Sequence, residues 1–220
     1  MPLDPGADGR GPQFGDDFHA AFLTLLRWRR DVRTFDPRPV PEAELALALT
    51  ACDHAPSVGN SQPWRFVNVA DPARRLRVRD SFLRCNAEAL ASQPEDRAPL
   101  YARLKLEGLD AAPVHLAVFC DEATVQGHGL GIRTMPEMLR YSVVTAIHTF
   151  WLAARCRGIG VGWVSILEPE AVRAALDVPP AWHLVAYLCV GYPLSPDDVP
   201  ELESDGWQAR SEGGLRLIRR

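Results

Sequence analysis

The chain has little that would suit a membrane, a nucleic acid or a metal. Its 220 residues carry 24 Lys and Arg against 28 Asp and Glu, a formal net charge of -4. It therefore lacks the overall basic balance that favours phosphate-rich polymers or anionic lipid surfaces, and neither is expected as a partner. The most apolar helical run, 136–157, contains Glu137, Arg140 and His148, which marks a buried core helix and not a membrane span. No apolar run precedes the first helix, so a signal peptide is not expected and the cytoplasm is the expected compartment. Cys52, Cys85, Cys120, Cys156 and Cys189 include no Cys-x-x-Cys pair and share no context that would make them a repeat, so they read as reduced, mostly buried thiols. The histidines have no His-Glu-x-x-His or other ligand spacing, and no metal site is expected. The run Gly127-His128-Gly129-Leu130-Gly131 departs from Gly-x-Gly-x-x-Gly, and the helix after it starts late, which argues against a dinucleotide fold.

What is present suits one substantial core, since 47% of the residues are hydrophobic. Residues 1–15, rich in Pro and Gly, are expected to form a flexible arm, and 16–220 a single domain. Asp16 and Asp17 are expected to cap a helix with Phe18, Phe22, Leu25 and Leu26 at helical spacing. Pro41 suits the first turn of a second helix. Strands are expected at 64–69, 114–119, 161–166 and 183–190, and helices at 72–90, 100–109 (carrying Lys105), 136–157 and 169–176. Thr134 with Glu137 has the pattern of a capping box, and Leu139, Val143, Ala146, Ile147, Phe150, Trp151 and Ala154 form a broad apolar stripe. Periodicity alone gives a mixed α/β protein.

The chemistry concentrates in two stretches. Arg29, Arg30 and Arg33 surround Asp31 immediately after the first helix. Guanidinium forks match phosphate oxygens with paired charge-assisted hydrogen bonds, although such a run taken alone is also an ordinary solvated basic face. The second stretch, Ala55-Pro56-Ser57-Val58-Gly59-Asn60-Ser61-Gln62-Pro63-Trp64, runs into a strand. Ser57, Asn60 and Gln62 offer donors and acceptors, in residue types that also favour turns without any ligand.

Together these stretches resemble the nitroreductase-type flavoproteins, in which an Arg-Arg-Ser-x-Arg segment holds the phosphate of flavin mononucleotide (FMN) and a Pro-Ser loop lies along the flavin. Here Asp31 stands where that motif has serine. With Lys105-Leu106-Glu107-Gly108-Leu109, 134–142 and Gly158-Ile159-Gly160-Val161-Gly162-Trp163-Val164-Ser165, the departure resembles the 5,6-dimethylbenzimidazole synthase branch, over roughly residues 18–210. The resemblance implies an α+β fold with a mixed β-sheet flanked by helices, dimeric with exchange of C-terminal tails. It implies oxygen-dependent fragmentation of reduced FMN, as substrate and with no metal, to 5,6-dimethylbenzimidazole and D-erythrose 4-phosphate, supplied by a separate NAD(P)H-dependent flavin reductase. Asp31 and Ser165 are its implied catalytic residues. The implied FMN contacts are Arg29, Arg30, Asp31, Val32, Arg33, Pro56, Ser57, Asn60, Gln62, Lys105, Gly160, Gly162, Ser165 and Arg210. An NAD(P)H-dependent FMN nitroreductase or flavin reductase, and a non-enzymatic flavin-binding module, are the alternatives.

Overall fold

The computed structural model describes residues 11–211, 217–218 and 220, so most of the expected N-terminal arm lies outside the described residues. In chain order the elements are α1 (Asp16–Trp28), β1 (Phe35–Asp36), α2 (Glu42–Thr50), β2 (Trp64–Asn68), α3 (Pro72–Ala91), α4 (Ala98–Tyr101), β3 (Val114–Asp121), α5 (Met138–Cys156), β4 (Gly160–Val164), α6 (Pro169–Leu176), β5 (Trp182–Pro193) and α7 (Glu201–Ser204). The sheet runs β1-β5-β3-β2, and β4 also pairs with β5. These strands pair antiparallel; the parallel component is a bridge between Asp31 and Val161.

Alternation along the central strands sends side chains to opposite faces. Leu116, Val118 and Cys120 of β3, with Ala186, Leu188 and Val190 of β5, meet the stripe of α5 formed by Val143, Ala146, Ile147, Phe150 and Ala154. Ala117, Phe119, Tyr187 and Cys189 face the other way, onto Val78 and Phe82 of α3 and Val172 and Leu176 of α6. Each large apolar side chain buried in this way contributes about 1.5–3 kcal/mol relative to exposure. The α5 stripe expected from periodicity is buried along its whole length.

Several local expectations are corrected. Gly15 occupies the N-cap of α1, and Asp16 and Asp17 lie inside the first turn, where their charge complements the helix dipole without capping. Pro41 is likewise the N-cap of α2 and not its first helical residue. Thr134 does not cap α5. The chain makes a separate turn, Met138 N to Met135 O at 3.1 Å, and the helix starts at Met138 with no side-chain cap. The 100–109 helix is cut to α4, because Lys105 O accepts from Arg33 Nη1 at 2.8 Å and leaves the helical ladder. A Cβ on Gly108 would lie 2.4 Å from the Phe35 ring, so the segment is drawn flat across β1. α1 is amphipathic as expected yet buries none of its residues within the chain.

Candidate functional site

The arginine segment is seated by two glycines. Val32 N donates to Val161 O at 3.1 Å, bringing residues 31–32 alongside β4. A Cβ on Gly162 would lie 2.0 Å from Val32 O, and one on Gly160 would lie 2.7 Å from Val32 Cγ2. Val32 takes the space that side chains at these glycines would fill, and their absence is what admits the segment.

Asp31 is fastened at both oxygens. Oδ1 accepts from Trp163 N at 2.7 Å, and Oδ2 accepts from Arg33 Nε at 3.0 Å. Arg33 is itself buried, donates to Lys105 O and has Glu201 Oε2 at 3.8 Å. It is thus committed to protein partners. Burial pushes the Glu201 carboxyl above its ordinary value, and the opposing pull of Arg33 lowers it less.

Arg29 and Arg30 remain open to a ligand. The Arg29 guanidinium lies 4.8 Å from the ring centroid of Trp151, a cation-π seat that orients it without neutralising it. Arg30 donates to Asp198 O at 2.9 Å and to Arg29 O at 2.9 Å. With Arg210 they line a cavity of about 770 Å³, whose other walls include Asp31, Glu201 and Gln208. Among the described residues none of Arg29, Arg30 and Arg210 forms a salt bridge. Burial lowers the affinity of Arg29 and of Arg30 for its proton; in Arg29 the Asp31 carboxylate opposes this and Arg210 adds to it, and in Arg30 the charges of Arg210 and Arg29 add to it while Asp198 and Asp197 oppose it. Guanidiniums keep their charge regardless, so three like charges line one cavity together with the Asp31 and Glu201 carboxylates, of which Asp31 is already fastened to Trp163 N and Arg33. That donor set fits a phosphomonoester.

The Pro-Ser loop is built elsewhere. Gly59, Asn60 and Gln62 have φ of 55°, 54° and 42°, left-handed conformations uncommon outside glycine. They are retained by partners on α5 and beyond: Ser142 Oγ accepts from Val58 N at 3.0 Å, Thr145 Oγ1 donates to Pro56 O at 2.7 Å, and Ser57 Oγ accepts from Gln62 N at 3.2 Å. Gln126 Nε2 donates to Asn60 O at 2.8 Å and to Gln62 Oε1 at 2.9 Å. None of Pro56, Ser57, Asn60 and Gln62 lines the arginine cavity. Ser165, exposed just past β4, and Lys105, whose Nζ is 3.4 Å from Glu107 Oε1, do not line it either. Sequence reasoning missed Trp151, Glu201 and Gln208. Trp151 reads as core, and the other two reach the site only through the fold of the tail.

A profile of the nitroreductase family matches residues 26–192. A 5,6-dimethylbenzimidazole synthase of Rhodospirillum rubrum is 62% identical over 200 residues, covering 91% of this chain and 95% of its own. A second, from Rhodobacter capsulatus, is 47% identical over 188 residues, covering 86% and 91%. Among solved structures, iodotyrosine deiodinase bound to FMN and 3-iodo-L-tyrosine aligns with a TM-score of 0.72 at 25% identity, over 90% of this chain and 99% of that one.

Proposed function

Because the chain belongs to the nitroreductase family and, within it, to the branch of the 5,6-dimethylbenzimidazole synthases, we propose that it fragments reduced FMN with O2. The products are 5,6-dimethylbenzimidazole, the lower ligand of cobalamin, and D-erythrose 4-phosphate. The observation that carries this reading is the 62% identity to a synthase across nearly the full length of both chains. The donor set of the cavity supports it.

Arg29, Arg30 and Arg210 hold the phosphate of the substrate through charge-assisted hydrogen bonds. The reduced isoalloxazine supplies the electrons taken up by O2. Asp31 is the proton-transfer group: the Trp163 amide and Arg33 fix its orientation, so its carboxylate meets the substrate in one pose. Ser165, two residues beyond Trp163, is assigned to orienting the reacting oxygen or relaying a proton. Lys105 contributes positive charge beside the reduced ring.

The functional unit is a homodimer in which the 56–62 loop of one protomer completes the arginine cavity of the other. That the loop and the arginines do not share a cavity within one chain favours this arrangement. So does the exposed aromatic ladder Phe14, Phe18 and Phe22, with ring centroids 4.6 and 6.4 Å apart. Exchange of C-terminal tails belongs to the same proposal. Reduced FMN comes from a separate NAD(P)H-dependent flavin reductase.

The test is to load the protein anaerobically with chemically reduced FMN, admit O2 and follow the products chromatographically. 5,6-Dimethylbenzimidazole should appear in step with loss of flavin. Quantitative recovery of oxidised FMN from a protein that binds it would overturn the reading in favour of a flavin-recycling reductase.

A further inference from the structure

The tail reaches the arginine cavity through a chain reversal that aims one aromatic ring. α7 ends with Gly206 N donating to Glu203 O at 3.0 Å and Trp207 N donating to Leu202 O at 2.8 Å, with Gly206 at φ 76°. This paired pattern closes a helix through a left-handed glycine and fixes the direction of the next residue. The Trp207 ring thereby meets Tyr101 edge-on, at 6.0 Å between centroids and 67° between planes. The Arg97 guanidinium lies 5.4 Å from the same ring, and its Nη1 donates to Trp207 O at 3.2 Å.

Both ends of this contact lead to the site. Tyr101 is anchored by donating to Asn86 Oδ1 at 2.9 Å, and four residues on, Lys105 O accepts from Arg33. Three residues beyond Trp207, Arg210 lines the same cavity as Arg29 and Arg30. Repulsion from those two charges works against Arg210, the Asp31 and Glu201 carboxylates of the same cavity offset part of it, and the Trp207 seat opposes the rest. A phosphate dianion between the guanidiniums turns repulsion into attraction.

We propose that Trp207 is a positioning residue whose seat on Tyr101 and Arg97 makes one event of two: delivery of Arg210 to a bound phosphate, and fastening of segment 97–105 against Arg33. The inference rests on the phosphate reading of the arginine cluster. It adds that the phosphate at one end of the substrate controls the segment carrying Lys105. Flavins lacking the phosphate then leave both the tail and segment 97–105 loose.

Limited tryptic digestion of the full-length protein tests this with inorganic phosphate as the probe, against chloride at matched ionic strength. Arg103 and Arg210 are both exposed cleavage sites. In the wild type, phosphate should slow cutting after both several-fold. In Trp207→Ala the protection after Arg103 should disappear, and Trp207→Phe should restore it. Arg97→Gln, at an exposed position, should weaken the coupling without threatening the fold. Phosphate protection of Arg103 that survives in Trp207→Ala, or protection of Arg210 without Arg103 in the wild type, overturns the inference. If phosphate protects neither site while reduced FMN is still fragmented, the coupling fails and the function stands. Protection of both sites with no fragmentation leaves the coupling and removes the function.

Discussion

Asp31 and Trp163 lie 132 positions apart and are joined by a 2.7 Å hydrogen bond from the Trp163 amide to Asp31 Oδ1. With Arg33 on the other oxygen, the carboxylate is oriented by backbone on one side and charge on the other. Asp31→Asn keeps an oxygen for the Trp163 amide and removes the exchangeable proton site. Formation of 5,6-dimethylbenzimidazole should fall about 10²- to 10⁴-fold, the usual contribution of positioned acid-base groups. FMN affinity, measured by fluorescence quenching, should change far less. Equal losses in both would make Asp31 a binding residue.

Arg210→Gln removes one guanidinium of the proposed phosphate cluster. A hydrogen bond to a charged group is worth about 1.5–3 kcal/mol, so the FMN dissociation constant should rise roughly 10- to 150-fold. Riboflavin, which has no phosphate, should bind the variant and the wild type alike. A parallel loss for riboflavin would refute phosphate recognition by Arg210.

Gly162→Ala should lower the melting temperature sharply and weaken FMN binding together, because its Cβ would sit 2.0 Å from Val32 O. The clash is with backbone and cannot be relieved by a rotamer change. Overpacking of this kind costs about 1–3 kcal/mol or more. Thermal unfolding of the variant without ligand is the check, and an unchanged melting temperature would mean that the segment is not held beside β4.

Stability should decline in mild acid through His115. Its Nδ1 is 2.9 Å from the Tyr187 hydroxyl, its Nε2 is buried without a partner, and burial followed by repulsion from Arg75 pushes its pKa from 6.5 down to about 4. The unfolded chain binds the proton more readily, so the stabilisation is complete above pH 6.5 and is lost as the pH falls towards about 4. The full loss is on the order of 3 kcal/mol. Urea unfolding across this range should show the slope, and His115→Gln should flatten it.

The aromatic ladder of α1 gives a prediction for assembly. Phe18→Glu with Phe22→Glu should convert the proposed dimer into a monomer in sedimentation equilibrium. On that proposal FMN affinity should fall with it, because the Pro-Ser loop of one protomer would no longer complete the arginine cavity of the other. A dimer that survives both charges would remove α1 from the interface.

Elements whose burial is regular were legible in the sequence. The α5 stripe follows from periodicity, since a packed face must repeat with the geometry of its element, and β3 is legible as a continuous apolar run, buried on both faces. Legibility failed where a distant partner decided the outcome. Lys105 reads as helical until Arg33 claims its carbonyl. Thr134 reads as a cap until the turn at Pro136 delays the helix. The site divides in the same way: the arginine cluster is visible as a run of charge, whereas Arg33 being paired with Asp31, and Arg29 and Arg30 lining the cavity without a carboxylate partner among the described residues, depends on β4 and the tail. Gly160 and Gly162 are recognisable as places of close approach, but only the fold shows that the approaching group is Val32.

The central position of β5 also governs how the protein can be made. Among the described residues β1 and β4 find their ladder partner in residues 182–193, β4 having besides it the single bridge to Asp31, and without that strand β3 is left with β2 alone. A nascent chain emerging from the ribosome therefore carries most of its helices and the whole arginine segment before any of these edges can close. Exposed edges of this kind are sites of mispairing between chains. A chain ending prematurely before residue 182 should be a substrate for chaperones and proteases, with no stable fragment left behind.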